Sequence, residues 1–295
     1  LMIVIWVKVG GSLMSELGNI FSGTGSEYAG SSFSAFIAIV GTMIAYFAAV
    51  VINFGDFGRF VRSEAQMKKG NLIGLPLNIA FFSFITLVVT AGTVALFGEQ
   101  LTNPTDIVAK VDSLALTVIA AITFFMATIG INLVANFVPP AYDLANLIPS
   151  KIDFRKGGLI TALIAFPIGA FWVSVVSKLG MFGFVNSLGA LLAPMYGIMI
   201  SDYYLVKKEQ INVPDLFSSD PGGQYYYNGG WNRKALIAFF PAAVFSIASV
   251  WVPMLESLSG YSWLIGAALG AIFHYSLSGR DQQLVMSSSV APKAE

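Results

Sequence analysis

The part of the sequence that most constrains the fold is residues 31–62, where an uncharged apolar run ends in a polar, glycine-rich segment. Residues 33–52 carry no charged side chain, and Asn53-Phe-Gly-Asp56-Phe-Gly-Arg59-Phe60 follows directly. A helix needs about 20 apolar residues to cross a hydrocarbon core about 30 Å thick. The stretch therefore predicts a membrane-spanning helix that meets a polar, ion-paired mouth.

The composition of the whole chain agrees with a membrane protein. Hydrophobic residues make up 56% of the chain and charged residues 11%, whereas about 25% of residues are charged in soluble proteins. The sequence has no cysteine and a formal net charge of +0, which excludes disulfides and thiolate metal sites and argues against a nucleic-acid partner. We expect an all-α polytopic membrane protein with the lipid bilayer as a partner.

Uncharged runs divide the chain into one partial span and seven complete spans. We predict a single transmembrane domain over residues 1–280 and a disordered cytoplasmic tail over 281–295, which is small and polar. The predicted spans are 1–13 (partial), 31–55, 72–98, 113–142, 157–177, 179–204, 235–255 and 257–278.

The start of the chain allows two interpretations. The apolar residues 1–7 could belong to a signal peptide, but that would require a basic region before them and a small-residue cleavage site. The favoured interpretation is the end of a span that begins upstream. We therefore expect the chain to be the C-terminal part of a longer protein, with further N-terminal spans as partners.

Lysine and arginine residues are distributed unequally between alternate loops. One set of loops and the C-terminal tail carries thirteen of them, from Arg59 to Lys293, and the other set carries only Lys8, Lys110 and Lys178. Because basic residues in short loops stay on the cytoplasmic side, we expect the C-terminus of a multi-pass cell-membrane protein to be cytoplasmic.

Ionisable side chains at membrane depth usually mark an ion or substrate path, and His274 is the candidate here. Its ordinary alternative is an interfacial histidine packed against Tyr275. Since the uncharged runs otherwise lack such groups, a transported solute would be neutral and polar.

Asn132 and Asn136 lie four residues apart in an apolar run, so they share one helical face. An amide offers one acceptor and two donor hydrogens, which complements the cis-amide edge of a nucleobase or hydantoin. The alternative is that the two asparagines hydrogen-bond a neighbouring helix and serve packing. The spacing leaves both open.

Aromatic and small residues add two further candidates. Tyr46 and Phe47 lie in mid-span among small residues and could stack on a planar ligand, or they could be ordinary core or lipid-facing rings. Gly266 and Gly270 form a small-xxx-small pair, which favours helix packing.

Charged residues and prolines near the ends of predicted spans indicate a gate and a helix break. Asp56 and Arg59 are three residues apart, so they can form an ion pair that locks a gate or anchors the segment at the headgroups. Pro139-Pro140 predicts a helix break just past Asn136, and discontinuous helices are typical of secondary transporters.

Four segments together resemble the nucleobase:cation symporter-1 family, in the expected order and over nearly the whole chain. They are Asn53-Phe-Gly-Asp-Phe-Gly-Arg-Phe60, Ala135-Asn-Phe-Val-Pro-Pro-Ala-Tyr-Asp-Leu144 with Leu147-Ile-Pro149, Ala193-Pro-Met-Tyr-Gly197 to Ser201-Asp-Tyr-Tyr204, and Tyr227-Asn-Gly-Gly-Trp-Asn232. The resemblance implies a leucine-transporter-like inverted-repeat fold of twelve spans. This chain would hold the end of span five, spans six to ten of the second repeat, and spans eleven and twelve.

The resemblance also assigns roles to residues. It implies that Phe47 is the aromatic platform for the substrate, that Asn136 binds the substrate and that Asn132 supports it. Tyr46 stays a candidate from its place next to Phe47. Ala127, Gly130 and Ile131 match the positions that hold sodium in sodium-dependent members, but two hydroxyl ligands are missing there. Hard cations prefer oxygen ligands, so the sequence favours proton coupling over sodium coupling, with no other cofactor.

Together these observations favour a symporter that imports a neutral nucleobase-like heterocycle by alternating access. The substrate class would be uracil, cytosine, purine, allantoin or hydantoin. A passive channel or facilitator and a sodium-coupled symporter remain as alternatives. A membrane enzyme is disfavoured, because the uncharged runs offer no catalytic constellation.

Overall fold

The computed structural model describes residues 2–22, 32–172, 181–218 and 220–289, and these residues are almost entirely helical. The helices are α1 (Met2–Val9), α2 (Ser12–Phe21), α3 (Ser32–Tyr46), α4 (Ala48–Ile52), α5 (Phe54–Gly58), α6 (Glu64–Lys69), α7 (Leu75–Phe97), α8 (Pro104–Val111), α9 (Leu114–Ile131), α10 (Val138–Leu147), α11 (Phe154–Trp172), α12 (Met181–Ile200), α13 (Val213–Leu216), α14 (Arg233–Trp251) and α15 (Ser262–Ser289).

Three π-helical segments and one 3₁₀ segment adjoin these helices. They are π1 (Gly70–Gly74), π2 (Asn132–Phe137), π3 (Ser201–Val206) and the 3₁₀ segment Pro253–Tyr261. π turns occur mostly as local widenings of an α-helix and often at functional sites. This makes π2 and π3 candidate functional segments.

Five helical stretches among the described residues are long and apolar enough to cross a membrane. They are Glu64–Phe97, Leu114–Leu147, Phe154–Phe171, Gly183–Val206 and Arg233–Trp251, and Ser32–Tyr46 is a shorter apolar helix. Many large apolar side chains on these helices are exposed, as a lipid-facing surface requires. The span limits predicted from the sequence stay predictions.

Helices form two units. Unit 1 comprises residues 1–29 and 55–162, and unit 2 comprises residues 30–54 and 163–295. In unit 1, α1 and α2 pack against the second half of α7. The buried side chains of Ile5 and Leu13 contribute to this core, and Gly92 leaves room for Ile5.

Unit 2 is built by close helix approach at small residues. A methyl group on Gly197 would overlap the carbonyl oxygen of Ala267, and one on Gly270 would overlap that of Pro194. Gly266 lies against Ala193 and a serine of α14. The packing role predicted for Gly266 and Gly270 is therefore confirmed, and α12 and α15 touch through their backbones.

The last helix extends beyond the end of the final span that the sequence predicts. α15 continues to Ser289, so residues 281–289 of the stretch predicted as a disordered tail are helical. Lys178, Lys293 and the junction between the predicted spans 157–177 and 179–204 lie outside the described residues.

Candidate functional site

Asn132 and Asn136 form a hydrogen-bonded ladder on one helical face in unit 1. Asn136 Nδ2 donates to Asn132 Oδ1 at 2.6 Å, and Asn132 Nδ2 donates to the carbonyl oxygen of Thr128 at 2.8 Å. Both side chains are exposed within the described part of the chain. These two hydrogen bonds run within one helix, whereas the packing interpretation needs a bond to a neighbouring helix.

The backbone under this ladder is π-helical. Pro139 and Pro140 have no N–H to donate to the preceding turn, and the helix accommodates them by widening over π2. The N–H of Val138 donates to the carbonyl of Leu133, five residues back. The prediction of a helix break just past Asn136 is therefore wrong in form, because the helix passes through both prolines and ends at Leu147.

The ladder leaves a defined hydrogen-bonding capacity on Asn136. An asparagine amide has two donor hydrogens and one acceptor oxygen, and one hydrogen is used on Asn132. One N–H and the carbonyl oxygen remain, and they lie side by side when the N–H donated to Asn132 is the one that points away from the Asn136 oxygen. This adjacent donor and acceptor is the complement of a cis-amide edge, in which a ligand N–H lies next to a ligand C=O.

Tyr46 and Phe47 lie at a kink in unit 2, where α3 ends and α4 begins. Phe47 leaves helical geometry with φ −93° and ψ 7°, and its N–H is shared between the carbonyls of Met43 and Ile44 at 3.3 and 3.1 Å. The two rings meet edge to face with centroids 5.1 Å apart. The structure thus brings the two predicted aromatic residues together at an interruption of the helix.

Small residues on the opposite side of this kink explain why the rings face outward. Ala45 and Ala48 are buried, and Ala45 fills the space that a side chain on Gly189 would need. Phe47 is 39% exposed and Tyr46 60% exposed. Both rings therefore keep exposed surface within unit 2.

Asp56 and Arg59 form the predicted ion pair, and two aromatic rings extend it. Arg59 Nη2 lies 2.7 Å from Asp56 Oδ1, and the Arg59 guanidinium lies 4.2 Å from the centre of the Tyr142 ring. Tyr142 in turn packs on Phe154 with ring centroids 4.6 Å apart. We call these four residues the Arg59 cluster; it joins α5, α10 and α11 within unit 1.

We expect Tyr142→Leu to lower the stability of the full-length protein and Tyr142→Phe to leave it nearly unchanged. Leucine removes the cation–π contact with Arg59 and the ring contact with Phe154, together worth about 1–2 kcal/mol, while phenylalanine keeps both. Thermal unfolding in detergent measures the difference. Equal losses in the two variants would show that the Tyr142 hydroxyl, not its ring, matters.

The positions that match the family's sodium site lie on α9. Ala127, Gly130 and Ile131 offer no side-chain oxygen, and the neighbouring carbonyl of Thr128 accepts the Asn132 amide. These three side chains give a hard cation no oxygen ligand, although the hydroxyl of Thr128 lies beside them in the sequence. The preference for proton coupling over sodium coupling stays a prediction.

His274 is buried and contacts an acidic side chain. Its side chain is 1% exposed, and its Nε2 lies 3.0 Å from Asp202 Oδ1. Asp202 also pairs with Lys207 at 2.5 Å. The helix continues beyond Ser201 through π3, so Asp202 belongs to the helical stretch, and the polar partner of His274 is this carboxylate.

Lys207 stays protonated in this arrangement. Its partial burial works against the positive charge, but the hydrogen bond and the negative charge of Asp202 outweigh it and raise the pKa of the Lys207 amine above its usual value. Tyr227 adds to the same effect through its hydroxyl. Lys207 is therefore a cation in its pair with Asp202.

Comparisons with known proteins find related permeases. The chain matches the family described as "Permease for cytosine/purines, uracil, thiamine, allantoin" over residues 1–266. It is 35% identical over 276 residues to an allantoin permease of Bacillus subtilis, covering 93% of this chain and 55% of that protein. It is 30% identical over 246 residues to a purine-uracil permease of Arabidopsis thaliana, covering 83% and 41%.

A solved structure described as the inward facing conformation of Mhp1 matches with a TM-score of 0.58. The identity is 22%, and the match covers 94% of this chain and 60% of that one. It confirms the predicted leucine-transporter-like fold. The chain spans about half the length of the curated relatives it matches.

Proposed function

Because this chain belongs to the family of permeases for cytosine/purines, uracil, thiamine and allantoin, we propose that the protein containing it is a symporter for a neutral nucleobase-like heterocycle. It is a multi-pass membrane protein of a transporter family, which sets the enzyme alternative aside. Transport would proceed by alternating access, with the cell membrane as its location and the C-terminus in the cytoplasm.

Asn136 carries the proposal. After its bond to Asn132, it retains a donor and an acceptor that match the cis-amide edge of uracil, cytosine, oxopurines, allantoin and hydantoins. The names of the relatives in Bacillus subtilis and Arabidopsis thaliana support the same class. In this proposal Asn132 is a positioning residue that fixes the Asn136 amide.

Phe47 supplies the platform for the flat face of the substrate, with Tyr46 beside it. Both rings are open at the kink, and a planar heterocycle gains contact area from a ring face without needing a specific hydrogen bond. N-terminal spans of the full-length protein would complete the site.

The Arg59 cluster is proposed as a gate on the cytoplasmic side. Asp56 is buried and the Arg59 side chain is half-exposed, so the pair can open towards water without exposing the carboxylate first. Breaking the contact between Arg59 and Tyr142 would release α5 from α10. Packed interfaces of this kind switch between two discrete arrangements and do not deform gradually.

Proton coupling is preferred over sodium coupling because the Ala127, Gly130 and Ile131 positions lack hydroxyl oxygens. We expect the full-length protein in proteoliposomes to accumulate radiolabelled allantoin or uracil above equilibrium when an inward pH gradient is imposed in choline medium without sodium. A proton ionophore would abolish the accumulation. Adding sodium while the pH gradient is kept the same would not raise the accumulation.

Other outcomes identify the alternatives. Uptake that reaches but never exceeds equilibrium under either gradient would indicate a passive facilitator. Accumulation that requires sodium would indicate a sodium-coupled symporter and would overturn the argument from the missing hydroxyls.

A further inference from the structure

His274 on α15 is a buried titratable side chain with no part in the function described above. It is 1% exposed, and its Nε2 lies 3.0 Å from Oδ1 of Asp202 near the start of π3. Histidine is the side chain that gains and loses a proton most readily near neutral pH, and the chain contains one histidine. Because an ionisable group at membrane depth usually belongs to an ion path or a proton relay, this pair is a candidate for proton binding.

The contact with Asp202 determines which ring nitrogen of His274 can take up a proton. A carboxylate has no hydrogen to donate, so Nε2 carries a hydrogen and donates it to Oδ1 of Asp202. Nδ1 is buried and has no hydrogen-bond partner among the described residues. In the neutral ring Nδ1 therefore holds a free lone pair. A proton that binds there adds one positive charge to the ring, and no other bond forms or breaks.

Asp202 connects the buried ring to water. Its side chain is 24% exposed, and it lines a cavity of about 300 Å³ where π3 ends and α14 begins. A proton that leaves Nε2 of the charged ring can pass to Oδ1 of Asp202 and from this carboxyl group to water, which leaves the ring neutral. In the orientation proposed above the cavity faces the cytoplasm, the side on which an importer releases its coupling ion.

Lys207 competes with a protonated ring for the same carboxyl group. Its Nζ lies 2.5 Å from Oδ2 of Asp202, whereas His274 uses Oδ1. While the ring is neutral, one carboxylate balances one ammonium group. When the ring gains a proton, two cations share one carboxylate, so the strength of the Lys207 pair depends on the charge of His274.

Other charged groups on the elements packed around His274 keep their charge near neutral pH. Arg233 and Lys234 at the start of α14 line the same cavity as Asp202. The remaining titratable side chains described on α3, α12, π3, α14 and the 3₁₀ segment are tyrosines, which are uncharged in this range. Tyr225 and Tyr227, which also line the cavity, lie against Lys207. The change in charge therefore falls to His274.

We propose that His274 and Asp202 hold the coupling proton of the transporter, with Lys207 as the cation that competes for their shared carboxyl group. The inference rests on the proton-coupled function proposed above and names the residues that bind its coupling ion. Uptake of the proton strengthens the contact between α15 and π3 and loosens the hold on Lys207, which directly follows π3. Loss of the proton restores the Lys207 pair. Protonation of a buried histidine is a known means of switching such packed contacts.

The first test compares full-length wild-type protein with His274→Gln in proteoliposomes, with radiolabelled uracil and allantoin as probes. Glutamine can still donate a hydrogen bond to Asp202, but it binds no proton. We expect the variant to lose accumulation above equilibrium under an inward pH gradient. It should keep substrate exchange at equal pH on both sides, because exchange requires no net proton movement. Wild-type exchange should fall as the pH rises and the loaded ring becomes scarce, whereas exchange by the variant should not depend on pH.

Tyr275→Phe is the matched control, because Tyr275 is the exposed neighbour of His274 on α15. It should accumulate both probes as the wild type does. Wild-type protein that never exceeds equilibrium under the pH gradient would overturn proton coupling itself, and the proton site with it. Equal accumulation by wild type and His274→Gln would overturn the assignment of the site and leave proton coupling intact.

A variant that retains the histidine covers the case in which His274→Gln fails to fold or to exchange. Lys207→Gln removes the competing cation, so the ring should hold its proton to higher pH. We expect the midpoint of the pH profile of exchange to rise by about one pH unit, which is the effect of one nearby charge on a titrating group. A midpoint that stays in place or falls would overturn the proposal.

Discussion

Replacing Asn136 with alanine in the full-length protein should reduce substrate uptake about 100-fold while the protein still reaches the membrane. The substitution removes the N–H and the carbonyl oxygen that Asn136 has left after its bond to Asn132. Two lost hydrogen bonds to a ligand, at about 1.4 kcal/mol each, amount to that factor. Uptake of radiolabelled allantoin or uracil, normalised to surface expression, measures the effect.

Two further asparagine variants make this result specific. Asn78→Ala is the matched control, because Asn78 is also an exposed asparagine of an apolar helix and donates to its own backbone at Gly74. It should transport normally. Asn132→Ala should raise KM and leave the maximal rate largely intact, because Asn132 positions the Asn136 amide without contacting the substrate. Normal uptake by Asn136→Ala would show that the ladder serves the helix and not the ligand.

The second large effect is expected at Gly197, where α12 touches α15. An alanine methyl there would overlap the backbone carbonyl of Ala267, and a backbone atom cannot move aside as a flexible side chain can. Overpacking of this kind costs about 2–3 kcal/mol. Gly197→Ala should therefore lower the melting temperature of the full-length protein by about 2–5 °C.

Gly183 on the same helix provides the control for this experiment. A methyl group at Gly183 meets nothing within 4 Å among the described residues, and alanine is favoured over glycine in a helix by up to about 1 kcal/mol. Gly183→Ala should leave the melting temperature unchanged or raise it slightly. If both variants lowered it equally, helix flexibility rather than the α12–α15 contact would be the cause.

Local patterns in the sequence predicted the local features of this protein well. The apolar runs indicated a helical membrane fold, and the spacing of Asp56 and Arg59 predicted an ion pair that the structure contains. The four-residue spacing of Asn132 and Asn136 placed both on one face, where they bond to each other. Each of these inferences depends on residues within one or two helical turns.

Features that join distant residues were not predictable in this way. His274 and Asp202 are 72 residues apart in sequence, and nothing near either of them signals the contact. The same holds for Arg59 and Tyr142. Proline chemistry, for its part, predicts where a backbone N–H is missing but not how the helix responds, so Pro139-Pro140 suggested a break where the helix widens instead.

Because of the widened turn π2, the number of residues in this helix matters for the geometry of the site. Each residue in an α-helix turns the chain by about 100°, and a π turn, whose hydrogen bonds reach five residues instead of four, accommodates an added residue. Deleting one residue between 132 and 137 would restore α-helical bonding and leave α10 close to its present orientation, because the widened turn had absorbed the extra residue. Tyr142 would then stay close to Arg59, while a deletion between Asn132 and Asn136 would end their four-residue spacing. The extra residue therefore sets the geometry of the two asparagines without turning the rest of the helix, so the number of residues specifies the site as firmly as their chemistry.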